Sequence, residues 1–296
     1  MNRSARIITK TVWLIVMGVL TFLMIYPFLF SFLAGMNTKT EFSNMGAALL
    51  PVPQNPVLSN FAYILTPSGL RPFMNTVFRT LWYTVIVSVM AILFGYVMAR
   101  YEFRAKKLFL GIIVCTQLVP GALTLIPSFV MVARLPFFGG NNWLGMGGRG
   151  LINNPAILYL QFGWGYLLWV FLFMQSMKSF PRGLEEAAEI EGCGFWRIIF
   201  TIVIPLQLPI IAVIAVNVAL GTWNDWMTPF MYINRVQDST LPAYIATMNA
   251  ALQGFGDKDY PKLFAMSTMA ILPPFLIFLF LQRYIIQGIA SAGIKG

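Results

Sequence analysis

The sequence has no histidine and only two cysteines, Cys115 and Cys193, in 296 residues. Histidine is the commonest general base and metal ligand, and the sequence also lacks a nucleophile–base pair or a group of metal ligands at a suitable spacing. These absences argue against an enzyme, and we predict no catalytic residue and no metal ion. Cys115 lies in an apolar run and Cys193 in a polar segment, so the sequence offers no disulfide framework.

Charged residues are also scarce. They make up 10% of the chain and hydrophobic residues 58%, whereas soluble domains have about 25% and about 45–50%. A soluble core of this size does not need so much apolar surface, so the composition predicts a polytopic membrane protein. The formal net charge is +10, but the basic residues are scattered between apolar runs and form no patch that indicates nucleic-acid binding.

Six apolar runs are long enough to cross a bilayer, which needs about 20 residues per helix. We therefore expect an all-α fold with about six transmembrane helices, in a single transmembrane domain of residues 1–296. Pro273 and Pro274 should kink the last helix, because proline removes a helical hydrogen bond. The predicted spans are residues 12–34, 77–99, 108–132, 155–177, 203–223 and 264–281.

The distribution of Lys and Arg predicts the orientation of these spans. With the N-terminus inside, the cytoplasmic segments hold twelve basic residues in about 58 positions, and the other side holds eight in about 104. Cytoplasmic segments carry the excess of basic residues, so we expect both termini in the cytoplasm. The first run is longer than the core of a signal peptide and lacks a small-x-small cleavage site, so we interpret it as a retained helix.

The central parts of the six runs contain no Asp, Glu, Lys or Arg. Proton-coupled carriers usually need such groups or histidine within the membrane, whereas sodium coupling through carbonyl and hydroxyl oxygens stays open. Some uncharged polar and proline residues are candidates to line a pathway, although each would equally serve helix packing. These candidates are Gln117, Pro120, Thr124 and Asn217.

Three long segments, residues 35–76, 133–154 and 224–263, are predicted to face outward. They are rich in Pro, Gly, Asn and aromatic residues. Loops of this length without secondary structure of their own tend to be functional, and simple connectors are the alternative.

Residues 179–205, between the fourth and fifth spans, carry the most specific signal. Pro181 is suited to start a helix, and Gly192 to end it in a left-handed conformation. A second short helix would lead to Pro205, so we predict a rigid cytoplasmic helix–turn–helix that docks on another protein. Short cytoplasmic loops are usually basic, yet four of the ten acidic residues fall here, near the positive end of the predicted helix dipole. They are Glu185, Glu186, Glu189 and Glu191.

The pattern Glu186-Ala187-Ala188, three residues, Gly192 and then Ile202-Val203-Ile204-Pro205 resembles the EAA loop of ABC-importer permeases. Within that superfamily, the chain is similar to the MalG-type carbohydrate permeases nearly from end to end. Asn75-Thr76 and residues 95–103 resemble motifs at the two ends of the family's second span, and residues 288–296 resemble its glycine-rich tail. Glu191 and Cys193 depart from the family pattern, in which Asp and Ala are usual.

The resemblance implies a type I ABC-importer permease fold. It also implies a membrane-spanning subunit of an ATP-driven, binding-protein-dependent carbohydrate importer in the bacterial inner membrane. The expected partners are a second, homologous permease subunit, two ATP-binding subunits, an extracytoplasmic solute-binding protein and membrane lipids. This chain has no G-x-x-x-x-G-K-[ST] loop and is expected to bind no cofactor, so ATP and Mg²⁺ would bind the ATP-binding subunits.

The resemblance also implies roles for individual residues. In the loop, Glu186 would be the polar anchor on the ATPase, with Glu185 beside it. Ala187 and Ala188 would form the close-contact face, and Gly192 the required turn. The segment of residues 224–263 would enter the cleft of the binding protein. The tail residues Gly293, Ile294, Lys295 and Gly296 would reach the ATPase dimer.

Two alternatives stay open. One is a permease of the same superfamily for a solute other than a sugar. The other is a sodium-coupled or facilitative carrier that acts without an ATPase, and this alternative leaves the acidic loop unexplained.

Overall fold

The computed structural model describes the backbone of residues 3–46, 48–160, 166–253 and 259–293, and the side chains of residues 9–46, 48–160, 166–252 and 259–280. Regular structure within these ranges is helical throughout, as predicted. The α-helices are α1 (Arg3–Gly35), α2 (Lys39–Asn44), α3 (Ser59–Ala62), α4 (Pro67–Arg100), α5 (Lys106–Leu118), α6 (Gly121–Ala133), α7 (Leu167–Lys178), α8 (Gly183–Ile190), α9 (Phe195–Ile198), α10 (Ile204–Leu206), α11 (Leu208–Asn224), α12 (Met227–Tyr232), α13 (Leu241–Gln253) and α14 (Tyr260–Gly293).

Three helices in the described part of the chain are long and apolar enough to cross a membrane unbroken. They lie in α1, α4 and α14 and correspond to the predicted first, second and sixth spans. The third and fifth predicted spans are each a bent pair of helices, which raises the number to five if each pair is counted as one span. The fourth is represented by α7, a 12-residue apolar helix, and residues 161–165 before it lie outside the described residues.

The third span breaks at Pro120, where α5 and α6 meet at an angle of 106°. Val119 before the proline is extended, with φ −84° and ψ 114°. The ring of a proline disfavours helical backbone in the preceding residue, so the break follows from the sequence. The other proline of this span, Pro127, lies inside α6 without ending it.

The fifth span bends by 81° between Leu206 and Leu208. A π-helical turn, Ile199–Val203, precedes the bend, and Pro205 lies within α10. In the sixth span, α14 continues through Pro273 and Pro274 without interruption.

Contacts within the chain divide it into two compact units. The first consists of residues 1–70 and 245–272, and the second of residues 71–244 and 273–296. In the first unit, the end of α1 packs against the start of α14. A Cβ atom on Gly35 would lie 3.0 Å from the backbone of Ala265, so the two helices touch closely. Ser31 Oγ donates to the Phe264 carbonyl at 3.2 Å, and the Phe30 and Phe264 rings meet edge to face.

The core of the second unit lies where α4, α7, α8 and the α9–α11 segment meet. Phe173, Met174 and Met177 on α7 are completely or almost completely buried there. Gly95 permits the close approach of α4 to α7, because a Cβ atom at this position would lie 2.9 Å from the Phe173 ring and 3.0 Å from the Val170 carbonyl oxygen.

The predicted outward loops contain more structure than the sequence suggested. α2, α3 and the first residues of α4 occupy parts of residues 35–76, and α12 and α13 occupy parts of residues 224–263. Residues 133–154 form a compact glycine-rich turn around Asn141, whose Nδ2 donates to the Ala133 and Leu135 carbonyls at 2.9 and 3.0 Å.

Candidate coupling site

The predicted cytoplasmic helix exists as α8, but it begins later than expected. Its first helical residue is Gly183, and Arg182 is the N-cap. Pro181 therefore lies just before the cap, so the helix predicted to start at Pro181 starts two residues later. Glu185 and Glu186 lie in the first turn, where the helix dipole favours negative charge.

Gly192 ends α8 as predicted. Its φ is +80°, in the left-handed region. Cys193 N–H donates to the Ala188 carbonyl at 2.9 Å, and Gly192 N–H donates to the Glu189 carbonyl at 3.0 Å. This pair of bonds is the Schellman motif, which satisfies the last carbonyls of a helix and turns the chain sharply.

The inner face of α8 is held by an ion pair to the end of α4. Arg100 Nε lies 2.9 and 3.0 Å from the two carboxylate oxygens of Glu185, and Tyr96 Oη donates to Glu185 Oε2 at 3.0 Å. The Arg100 and Glu185 side chains are only 8% and 7% exposed. A buried carboxylate needs such partners, because an isolated charge pays a large desolvation penalty.

Arg100 also joins the segment before α8 to this network. Its Nη2 donates to the Phe180 carbonyl at 3.1 Å, and its guanidinium lies 5.8 Å from the centre of the Phe180 ring. The Tyr96 ring packs edge to face on Phe195 at the start of α9. Both arms of the predicted helix–turn–helix therefore rest on the last turn of the second span.

The structure divides the predicted coupling residues between two faces. Glu185 and Ala188 face the chain's own core and are buried, which differs from the outward contact face expected for Ala188. Glu186, Ala187 and Gly192 are exposed. Exposed apolar side chains accompany them: Ile190 is 88% exposed and Leu184 49%. The outer face of α8 thus combines carboxylates with uncovered apolar surface.

Sequence reasoning missed the roles of Tyr96 and Arg100. Both lie in the stretch that resembles the family's second-span motif. The sequence offered two signals. One is a basic residue directly after an apolar run, and the other is a loop with more acidic residues than the helix dipole accounts for. Neither signal identifies which acid pairs with which base.

In the described part of the chain, the side-chain hydrogen bonds of the candidate pathway residues stay within their own helices. Asn217 Nδ2 donates to the Val213 carbonyl at 2.8 Å, and Thr124 Oγ1 donates to the Gly121 carbonyl at 2.8 Å, both within their own helices. Gln117, Pro120 and Asn217 are exposed, and Thr124 is half-buried. Gln117 lies in the last turn of α5, just before Pro120, where the third span breaks.

Of the predicted ATPase-contacting tail, Gly293 is the last residue of α14. Ile294, Lys295 and Gly296 lie outside the described residues. Gly254 to Lys258, towards the end of the segment expected to enter the binding protein, also lie outside them.

The motif Asn75-Thr76 holds another part of that segment. Asn75 Nδ2 donates to the Ser239 carbonyl at 2.9 Å. Thr76 Oγ1 accepts from Leu241 N–H at 2.7 Å and donates to the Pro72 carbonyl at 2.8 Å. These bonds fix the start of α13 against α4.

Comparisons with known proteins agree with this architecture. Over 290 residues the chain is 30% identical to the arabinooligosaccharides transport system permease protein AraQ of Halalkalibacterium halodurans, covering 96% of each chain. It is 28% identical to the probable starch degradation products transport system permease protein AmyC of Thermoanaerobacterium thermosulfurigenes, covering 94% of each. It is 30% identical to the melibiose/raffinose/stachyose import permease protein MelC of Bacillus subtilis, covering 76% of this chain and 75% of MelC.

The fold matches a solved structure. A chain of a bacterial ABC transporter involved in the import of the acidic polysaccharide alginate superposes with a TM-score of 0.73 at 20% identity, over 96% of this chain and 99% of that one. The likeness confirms the predicted permease fold. Residues 91–291 match the family described as binding-protein-dependent transport system inner membrane component, and these residues include both arms of the α8 site and its Arg100 partner. The chain therefore belongs to the family of inner-membrane components of binding-protein-dependent transport systems.

Proposed function

We propose that this chain is a permease subunit of an ATP-driven carbohydrate importer, and that α8 is its docking element for an ATPase subunit. The observation that supports this most strongly is the division of α8 into two faces. One face is joined to the second span through Glu185 and Arg100, and the opposite face is exposed and acidic. A partner that moves the outer face would move the end of a transmembrane helix with it.

The exposed residues suit such a contact. Glu186 offers a carboxylate for a basic or hydrogen-bonding group, and Ala187 is small enough for a partner backbone to approach closely. Ile190 supplies an apolar contact. Gly192 keeps the loop compact, because its left-handed conformation turns the chain back towards α9.

The substrate class follows from the relatives. AraQ, AmyC and MelC are named for arabinooligosaccharides, starch degradation products and the melibiose, raffinose and stachyose group. We infer that this chain transports an oligosaccharide or a related saccharide. Gln117, Thr124 and Asn217 would line its path, and the break at Pro120 would let the third span change shape.

The complete importer would contain four more chains. We infer a second homologous permease as the other half of the pathway, two ATP-binding subunits on the cytoplasmic side and a solute-binding protein on the other side. A bacterial alginate ABC transporter with a similar fold has been solved in complex with a periplasmic protein bound to an alginate pentasaccharide. In our proposal both termini are cytoplasmic, ATP and Mg²⁺ bind the ATPase subunits, and the tail of residues 293–296 reaches the ATPase dimer.

The test is sugar uptake by cells or proteoliposomes that contain this chain with its partner permease, ATPase and binding protein. Glu186→Lys should insert normally in the membrane, lose ATPase subunits on purification and lose at least about tenfold in uptake, since it reverses charge at the docking face. Glu102→Lys is the matched control. Glu102 is 84% exposed on the neighbouring turn, where the hydrogen bond from Lys106 lowers the pKa of Glu102.

Normal uptake by Glu186→Lys would contradict the docking role. Uptake by this chain alone, without any ATPase, would contradict the proposed function and favour a carrier.

A further inference from the structure

A second buried arginine lies on the same helix, near the other end of the predicted span of residues 77–99. Arg79 of α4 is 2% exposed. It is separated from Arg100 by about 30 Å, at a helical rise of about 1.5 Å per residue. The part of α4 that carries Arg79 is therefore remote from α8.

Arg79 binds three segments at once. Its Nη2 lies 2.7 Å from Asp225 Oδ2, its Nε donates to the Leu158 carbonyl at 3.2 Å, and its Nη1 donates to the Thr222 carbonyl at 3.4 Å. The guanidinium also lies 5.4 Å from the centre of the Tyr83 ring. The second span is thus tied to the end of the fifth span and to the chain that leads into the fourth.

Asp225 extends this network to the next segment. Its other oxygen, Oδ1, accepts from Thr228 N–H at 3.1 Å, in the first turn of α12. The Asp225 side chain is 23% exposed, so the pair lies just beneath the surface. α12 belongs to the segment of residues 224–263 that is predicted to face outward.

We propose that Arg79 and Asp225 form an outer latch, which holds the outer ends of the second and fifth spans together when the pathway is closed on that side. Both are positioning residues that set the balance between closed and open states. This inference rests on the proposed function, because alternating access requires the outer ends to separate. α4 would then connect two ion pairs, Arg100–Glu185 at the ATPase side and Arg79–Asp225 at the outer side.

The chemistry of a buried ion pair suits a latch. Its attraction roughly balances the cost of removing both charges from water, so the closed state is favoured only slightly by the pair itself. Removing one partner leaves an uncompensated charge that is buried in the closed state and solvated in the open one. Removing both charges leaves no charge that would gain from solvation in the open state. The single and double variants should therefore shift the equilibrium in opposite directions.

The experiment uses the full chain in membranes, with Cys115→Ser and Cys193→Ser as background and Thr222→Cys as reporter. Thr222 is 7% exposed, and its backbone carbonyl accepts from Arg79. Modification of Cys at this position by a membrane-impermeant maleimide should be about tenfold faster in Asp225→Asn. In the double variant, which combines Arg79→Met with Asp225→Leu, this modification should be slower than in the parent.

Asp259→Asn is the matched control, because it makes the same chemical change in another ion pair. Asp259 pairs with Lys262 at 2.9 Å, but the Lys262 side chain is 33% exposed and is not left as a buried charge, so the substitution should leave labelling unchanged. Faster labelling in the single variant and slower labelling in the double variant support the latch. A shift in the same direction for both variants, or no shift in either, overturns it.

A second measurement separates this inference from the proposed function. In the assembled importer, Asp225→Asn should raise ATP hydrolysis in the absence of binding protein several-fold and lower the stimulation that binding protein adds. The single and double variants could shift labelling in opposite directions while no ATPase subunit responds to this chain. That result would retain the latch and contradict the proposed function. Intact binding-protein-stimulated ATP hydrolysis with identical labelling in all variants would contradict the latch alone.

Discussion

Arg100 and Glu185 lie 85 residues apart in the sequence, yet the guanidinium Nε of Arg100 is 2.9 and 3.0 Å from the two carboxylate oxygens of Glu185. Arg100 is the last residue of α4, and Glu185 lies in the first turn of α8. Because both side chains are almost completely buried, the two helices are expected to move as one body.

Replacing Glu185 should therefore affect stability, and replacing its neighbour should not. Glu185→Gln leaves Arg100 as an unpaired buried charge, which we expect to destabilise the folded chain by about 3–5 kcal/mol. Glu186→Gln, on the exposed face, should change stability by less than about 0.5 kcal/mol. Thermal unfolding of the purified proteins in detergent measures both. Equal effects of the two substitutions would contradict the separation of α8 into an inner and an outer face.

Gly192 and Gly194 provide a comparison within one turn. A Cβ atom would meet no atom within 4 Å at either position, but only Gly192 has a positive φ, whereas Gly194 has φ −76°. Gly192→Ala should cost about 1–2 kcal/mol of left-handed strain, and Gly194→Ala should be close to neutral. Gly192→Asn should recover part of the loss, because asparagine tolerates this conformation. Unfolding measurements on the three variants test this, and a neutral Gly192→Ala would refute the conformational requirement.

Gly95 should be intolerant of any side chain. A Cβ atom there would approach the Phe173 ring to 2.9 Å and the Met174 backbone nitrogen to 3.1 Å. We expect Gly95→Ala to destabilise the packing of α4 on α7 by about 1–3 kcal/mol. Gly111 on α5 has open space around it, so Gly111→Ala should be neutral or slightly stabilising as a better helix former. If the two variants unfold at the same temperature, the close approach of α4 and α7 is not required.

Thr76→Val should loosen the start of α13. The substitution keeps the side-chain shape but removes the acceptor of the buried Leu241 N–H, and an unsatisfied buried donor costs about 1–3 kcal/mol. Thr84→Val is the control, because the Thr84 hydroxyl donates only to the Thr80 carbonyl of its own helix. Amide hydrogen exchange at Leu241 should accelerate in the first variant and stay unchanged in the second. Unchanged exchange in both would show that the Thr76 bond does not hold α13.

The sequence predicted features that depend on local chemistry. The apolar runs became α1, α4 and α14, and Gly192 ended α8 in the left-handed conformation. These outcomes depend on a residue and its immediate neighbours, which is why composition and spacing were sufficient. The start of α8 was predicted less well, because Pro181 suits several positions around a helix N-terminus.

The features that escaped prediction depend on distant contacts. Nothing in the spacing of Arg100 and Glu185, or of Arg79 and Asp225, indicates which charges meet. Arg79 lies near one end of the predicted second span, yet it is buried and binds three segments of the chain. Helices α2, α3, α12 and α13 were missed because short helices in Pro- and Gly-rich segments are stabilised by tertiary packing more than by an amphipathic pattern.

Photo-crosslinking from the outer face of α8 tests most directly whether this helix docks on an ATPase subunit. A photoreactive amino acid replaces Ile190, which is 88% exposed, and in a second protein it replaces Trp143, which is 71% exposed in the predicted outward segment of residues 133–154. We expect position 190 to crosslink to the ATPase subunit in membranes of the assembled importer, and position 143 not to do so. An ATPase crosslink from position 143, or none from position 190, would contradict the proposed docking site.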